Sequence, residues 1–291
     1  MSRLVVRKTY KLLIGGAYAR TESGRAYSAL GPKGELLAHV PLGSRKDVRD
    51  AVKAARGAFA GWSGRTAFNR GQILYRAAEM LEERHAEFVD ALIRSTGASR
   101  AGAEREVSVS VDRLVHFAGW ADKISAVLGS VNPVAAPYFN FSAPEPTGVV
   151  GIVCPERPSL VPLVSRLAAV VVSGNCAIAI ISEGTPIPAL LFGEVVGTSD
   201  APAGVVNILS GKKKELVGAL STHRDVDAID DGSADPVLGR LVDAEAADRV
   251  RRIARPRAIT EKDWFDERRT EGIGALEPFV EIKTTWHPAG V

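Results

Sequence analysis

The chain has 291 residues, enough for one large α/β domain or two modest ones. Apolar residues make up 46% and charged residues 24%, ordinary proportions for a globular protein with a sizeable core. The 37 basic residues are offset by 34 acidic ones, and a net charge of +3 gives no electrostatic footprint for nucleic acid. No apolar run approaches the ~18 residues of a membrane span. Arg3, Arg7 and Lys8 are not followed by the apolar region of a secretory signal. Cys154 and Cys176 both lie in apolar stretches, which argues against a disulfide framework and for a reducing, cytoplasmic setting.

In chain order, Tyr10 to Tyr18 reads as a strand and turn at Gly15-Gly16. Ser44 and Asp47 have capping-box spacing, and Val48, Ala51, Val52, Ala55 and Phe59 follow with helical periodicity. The pattern predicts a second helix over 67–95, stopped by Gly97, and a third over about 101–126. Asn132 to Pro146 carries four prolines around Tyr138-Phe139-Asn140-Phe141 and predicts an extended arm or hairpin. From Thr147 onward, strands at 149–154, 176–181, 205–209 and 226–229 alternate with helices at 159–172, 187–196 and 213–221. That alternation predicts βαβ units and a parallel, doubly wound sheet. Val242, Ala246, Val250 and Ile253 suit one more helix, Arg255 to Arg269 a solvated linker, and Phe279 to Trp286 a terminal strand.

Several segments, in order and at matching spacing, resemble the aldehyde dehydrogenase superfamily. They are Phe117-Ala-Gly-Trp-Ala-Asp-Lys123, Glu145-Pro-Thr-Gly-Val-Val-Gly-Ile-Val153, Ser173-Gly-Asn175, Ser182-Glu-Gly-Thr-Pro186 and Ala203-Gly-Val-Val-Asn-Ile208. Leu276 to Thr284 is similar to the family's extreme C-terminal strand, while the resemblance of the preceding part runs from Leu4 to Ile229. The resemblance implies a cofactor-domain-like part over 1–135 and 148–270, and an oligomerisation hairpin and terminal strand over 136–150 and 275–291. The family's catalytic domain, which lies between them, is then absent. This arrangement is similar to the degenerate second half of two-module members, the sixteenth aldehyde dehydrogenase class.

The family reaction needs a thiolate nucleophile, a carboxylate base, an oxyanion donor and a bound nicotinamide. The nucleophile belongs to the missing domain, and Cys154 and Cys176 are expected to be core residues. Glu215-Leu-Val-Gly218 is a chance likeness of the family's Glu-Leu-Gly-Gly, and Pro155-Glu-Arg-Pro-Ser159 places Arg157 where the oxyanion Asn belongs. The implied cofactor is NAD or NADP, but only vestiges of its site remain, at Ser182, Glu183 and Gly211. The ribose-binding Lys is lost from Ile180-Ile-Ser-Glu183, and the second glycine is lost at Gly211-Lys-Lys-Lys214, whose lysines suit a solvated face. Asp230 and Asp231 are expected to put repelling charge at a helix N-terminus. The histidines, His39, His85, His116, His223 and His287, lack ligand spacing for a metal, and His116 reads as a packing residue.

Family subunits pair by lending their oligomerisation strands to a neighbour's catalytic sheet. This chain keeps the lending strands without the receiving domain, so the resemblance implies a separate catalytic aldehyde dehydrogenase as partner. Tyr138, Phe139, Phe141, Phe279, Val280, Ile282 and Trp286 are the residues expected at that interface. The alternatives are an oxidoreductase completed by a partner's residues and a free-standing nucleotide sensor.

Overall fold

The computed structural model describes residues 6–247, 251–257 and 260–289; Arg3, Leu4 and Val250, named above, lie outside them. Strands β1 (Leu12–Ile14) and β2 (Ala17–Ala19) form a hairpin whose turn, Gly15 and Gly16, has φ of 60° and 78°. Both values fall where only glycine turns comfortably, as a two-residue hairpin demands. A second hairpin, β3 (Ala26–Leu30) and β4 (Leu36–Pro41), is absent from the sequence reading. Its signal was Pro32-Lys33-Gly34 between apolar residues, with Gly34 at φ 79°.

Helix α1 (Arg45–Ser63) begins at the expected capping box, with the Asp47 carboxylate accepting from Ser44 N at 2.8 Å. The long second helix is two, α2 (Ala67–Glu83) and α3 (His85–Thr96). Arg84 leaves helical geometry between them, and its guanidinium binds Glu87 and Glu194 at 2.8 and 2.7 Å. The third predicted helix likewise divides at Gly119 into α4 (Arg100–Ala118) and α5 (Ile124–Leu128).

Strands β5 (Ser130–Asn132) and β6 (Tyr138–Pro146) follow, then β7 (Val149–Val153), α6 (Val161–Val172), β8 (Cys176–Ile180) and α7 (Ile187–Gly197). The alternation continues through β9 (Val206–Leu209), α8 (Lys213–Ser221), β10 (Ala228–Asp231), α9 (Pro236–Ala247) and β11 (Arg252–Ala254). The sheet order is β11-β10-β7-β8-β9-β1-β2, parallel through β9 and antiparallel beyond it. This is the doubly wound parallel sheet expected from the sequence. Helices α6 and α7 pack on one face beneath α2, α3 and α4, and α1, α8 and α9 cover the other. Every residue of α6 is buried, which explains its apolar surface on all sides. Strand β11 corrects the reading of Ile253 as helical: it pairs with Ile229, giving β10 a parallel neighbour.

Glu106 of α4 supplies the cap that α6 lacks locally. Its carboxylate accepts from Leu160 N at 2.7 Å and Val161 N at 3.3 Å, satisfying amides at the start of a buried helix. Glu106→Ala should lower stability by about 1–2 kcal/mol. Glu106→Gln, which keeps an acceptor oxygen, should recover most of the loss in thermal denaturation.

Beyond β11 the chain turns back across α4 and α6 to the last strand, β12 (Val280–Pro288). The segment read as a solvated linker holds a helical turn at Glu261–Phe265, and Trp264, 2% exposed, packs on Val161. A polar latch follows. Buried Arg113 donates to Glu271, and His116 Nδ1 lies 3.3 Å from the other carboxylate oxygen of Glu271. His116 Nε2 accepts from Trp120 Nε1 at 3.0 Å and Gly272 N at 3.3 Å. The ring also meets Phe117 edge-on, so packing and hydrogen bonding coincide at His116. Burial, with Arg113 beside it, lowers the His116 pKa against the opposing pull of the Glu267 and Glu271 carboxylates. A depressed histidine pKa contributes stability that is complete above the ordinary value near 6.5 and is lost as pH falls through the folded value. Limited proteolysis of residues 260–279 should therefore accelerate below pH 6, and His116→Asn should flatten that dependence.

Candidate functional site

In a doubly wound sheet the ligand crevice lies at the carboxyl ends of the strands where the order reverses, here between β7 and β10. The loops after β7, β8 and β9 at this end of the sheet are tied together by the chain's own ions. Glu156, in the loop after β7, accepts from Ser182 Oγ at 2.9 Å and Gly184 N at 2.9 Å, and pairs with Lys213 Nζ at 2.5 Å. Burial works against the Glu156 carboxylate, but Lys213 and these hydrogen bonds outweigh it and hold its pKa below the usual carboxylate range. Lys213 is 6% exposed and also donates to the Cys154 carbonyl at 2.6 Å. Of the lysines after Gly211, Lys212 and Lys214 are exposed, as a solvated face requires, while Lys213 departs from it: a buried ammonium needs partners, and Lys213 has them.

Glu183 serves the helix after the next strand. Its carboxylate binds Lys212 Nζ and accepts from Lys213 N at 3.2 Å, at the start of α8. Tyr27 of the unpredicted hairpin donates to the Glu183 carbonyl at 3.2 Å, and burial raises its hydroxyl pKa. Gly211, at φ 152°, is fixed by packing: a Cβ there would stand 3.0 Å from Gly43 N. Ser182, Glu183 and Gly211 do come together at the crevice mouth, each engaged by the protein itself. A cavity of about 480 Å³ remains beside them, lined by Tyr27, Ser28, Leu30, Glu156, Glu183, Gly184 and Lys212.

On the other side of the crevice the expected helix-terminal carboxylates lie in strand β10 instead. Asp230 is fully buried and bidentate with Arg166, at 2.6 and 3.0 Å. Asp231 accepts from Ser233 Oγ at 2.6 Å. The residue at the start of α9 is Asp235, whose carboxylate accepts from Val237 N at 2.7 Å and Leu238 N at 3.4 Å. Those amides, the natural anion site of a helix N-terminus, are occupied from within. Arg157 is exposed, and sequence reasoning overlooked its neighbour Glu156, whose short acidic reach into a Ser-x-Gly turn was the available signal.

Cys154, just after β7, and Cys176, the first residue of β8, are buried and free. Burial pushes each thiol up to about 12, with Lys213 opposing at Cys154 and Arg56 at Cys176. Among the described residues no group of His, Cys, Asp and Glu is arranged to hold a metal, and no helix is long and apolar enough to cross a membrane.

The third sheet element is β12-β6-β5, with β12 paired antiparallel to β6 along its whole length. Tyr138, Phe139, Ile282 and Trp286 are exposed, and Phe141 is half-buried. Tyr138 meets Trp286 edge-on at 5.8 Å. Phe279 and Val280 are different: at 0% and 5% exposure they belong to the core and anchor the strand, correcting their placement on an outer surface.

The aldehyde dehydrogenase family profile matches residues 18–254, ending on the last residue of β11. The chain belongs to the aldehyde dehydrogenase family. Cytosolic 10-formyltetrahydrofolate dehydrogenase from Mus musculus is 34% identical over 232 residues, covering 78% of this chain and 26% of that protein. The Xenopus tropicalis protein of the same name is 32% identical over 262 residues, 87% of this chain and 29% of that one. The aldehyde dehydrogenase of Bacillus cereus, solved as an NAD+ complex, superposes with a TM-score of 0.80 at 27% identity, covering 86% of this chain and 51% of that chain. The chain thus spans about a quarter of the first relatives and half of the solved aldehyde dehydrogenase. Between Ala254 and Val280 its described residues form only short helical turns.

With both pKa values near 12, native Cys154 and Cys176 carry about a thousandfold less thiolate than an unperturbed thiol at neutral pH. Iodoacetamide should leave both unmodified in the folded chain at pH 8 and label both after denaturation, as read by intact mass.

Proposed function

We propose that the chain is a non-catalytic subunit that assembles, in the cytoplasm, with a separate NAD(P)-dependent aldehyde dehydrogenase. The observation that carries this reading is the position of β12. The strand is held by β6 on one side, and it stands at the edge of its sheet on the other. Strand addition to a partner's sheet satisfies such an edge while the exposed side chains of Ile282 and Trp286 gain apolar cover. Lent to the catalytic sheet of an active enzyme, β12 would act in the manner of the family's oligomerisation strands.

Two features oppose independent catalysis. The thiols are buried and protonated, and the crevice already contains Glu156, Lys213 and Asp235 where a dinucleotide would need open backbone amides. The residues present therefore do not fit a tightly held NAD or NADP, and no hydride-transfer step is assigned to this chain. One observation favours a second reading, a nucleotide sensor: the cavity beside Tyr27 and Glu183 stays open.

Two measurements separate the readings. Affinity purification of the tagged chain from its native host should recover a full-length aldehyde dehydrogenase at near-equal amount; recovery without any such enzyme overturns the subunit reading. A ligand present at a hundredfold its Kd stabilises by about 2.7 kcal/mol, several degrees in melting midpoint. Millimolar NAD should leave the midpoint of the isolated chain unchanged, whereas a saturable rise would establish the sensor.

A further inference from the structure

The backbone phase of β12 is fixed at both ends. Thr147 N donates to Phe279 O at 3.2 Å and Ala289 N to Pro137 O at 2.9 Å. With the register of β12 on β6, this turns the amides and carbonyls of odd-numbered β12 residues toward β6 and those of even-numbered residues outward. Arg252 agrees with that phase, because its Nη1 reaches the Val280 carbonyl from outside at 2.6 Å. At the other end Pro288 has no N–H to offer. The free edge therefore consists of the N–H and C=O groups of Ile282, Thr284 and Trp286, unpaired among the described residues and centred on Thr284.

We infer that this edge pairs with the same edge of a second copy of the chain, antiparallel, about a two-fold axis at Thr284. In that register Ile282 of one copy faces Trp286 of the other, and Thr284 faces itself. All are outward-pointing residues, so each opposed pair exchanges two N–H···O bonds and no free amide is left over. The side chains agree. Ile282 and Trp286, 53% and 58% exposed, lie on the same face as Tyr138 and cover one another across the axis. On the opposite face Glu281 meets His287 and Lys283 meets Thr285, with no like charges opposed. Neighbouring registers are worse. An axis at Lys283 sets two lysines face to face, and an axis at Thr285 sets Pro288 against the Ile282 carbonyl with no proton to share.

The contact is isologous and closes after two copies, so it consumes the edge without building a filament. It uses the surface assigned above to the catalytic partner, which makes self-pairing and partner binding mutually exclusive. The inference itself rests on this chain alone and stands or falls without that partner.

Sedimentation velocity of the purified full chain at micromolar concentration tests it. The expected species is a dimer. Thr284→Pro removes an outward amide that the fold does not use, so it should yield a monomer with unchanged circular dichroism. Thr284→Lys and Thr284→Glu each oppose like charges at the axis and should raise the dimer dissociation constant at least about tenfold. Mixing those two variants should restore dimers, an outcome that misfolding cannot produce. A monomeric parent chain, or a dimer that survives both Thr284→Pro and Thr284→Lys, overturns the inference. Neither result bears on recovery of an aldehyde dehydrogenase from the host, which is measured separately.

Discussion

Phe279 is held from several sides at the point where the chain returns to its sheet. Its carbonyl accepts from Asn175 Nδ2 at 2.8 Å and Thr147 N at 3.2 Å, and its ring lies 5.1 Å from the Arg166 guanidinium. Arg166 in turn grips Asp230 with both ends of its fork. Asn175 donates to the Val170 carbonyl and accepts from Gly148 N at 2.7 Å, so one buried amide ties β7, α6 and the returning segment together. Strand β12 departs from this clamp, and its alignment on β6 follows from where the clamp releases it.

The same contacts explain what happens to the crevice. A buried ion pair gains little net stability over an apolar pair, but either ion left alone is very costly. Asp230 at the end of β10 therefore commits Arg166 to that spot, and the two together occupy the space beneath the switch point. Lys213 and Glu156 make a second commitment above it, shared with Ser182 and Gly184. Arg166 and Asp230 cannot part without stranding each other, and withdrawal of the half-exposed Glu156 would leave the buried Lys213 without its counter-ion. The parallel sheet has kept its ligand-binding topology while its polar groups have turned to binding one another.

The sheet was legible because its strands are short β-branched runs between apolar helices, a pattern that survives any change at the crevice. The Ser44–Asp47 cap was legible because both residues act within one turn. Contacts across the fold left weaker traces. Nothing near Arg84 in the sequence says that its guanidinium will be drawn to Glu194 and divide the helix. Ile253 fits a helical stripe equally well until β10 presents an unpaired edge. At the site, the losses beside Glu183 and Gly211 were readable as departures from a motif. The replacements were not, because Glu156, Lys213 and Asp235 acquire their roles only when separate loops meet. Phe279 alternates like a surface-strand residue, and only the clamp shows it to be core.

The edges of the small sheet are treated unequally, and the inequality is informative. The amides of even-numbered β6 residues point toward β5, which stops at Ser130, opposite Ser142. Beyond it the next such positions on β6 are Pro144 and Pro146, which have no amide to leave exposed. On the far side, Arg252 occupies the Val280 carbonyl and Pro288 ends the run. Proline or an ion thus closes β6 beyond β5 and both ends of β12, which leaves the outer edge of β5 and the middle of β12 unpaired among the described residues. The middle of β12, from Ile282 to Trp286, carries exposed apolar Ile282 and Trp286 on one face and Lys283, paired with Glu145, on the other. A strand margin that joins exposed apolar side chains to unpaired backbone groups is suited to the addition of a strand.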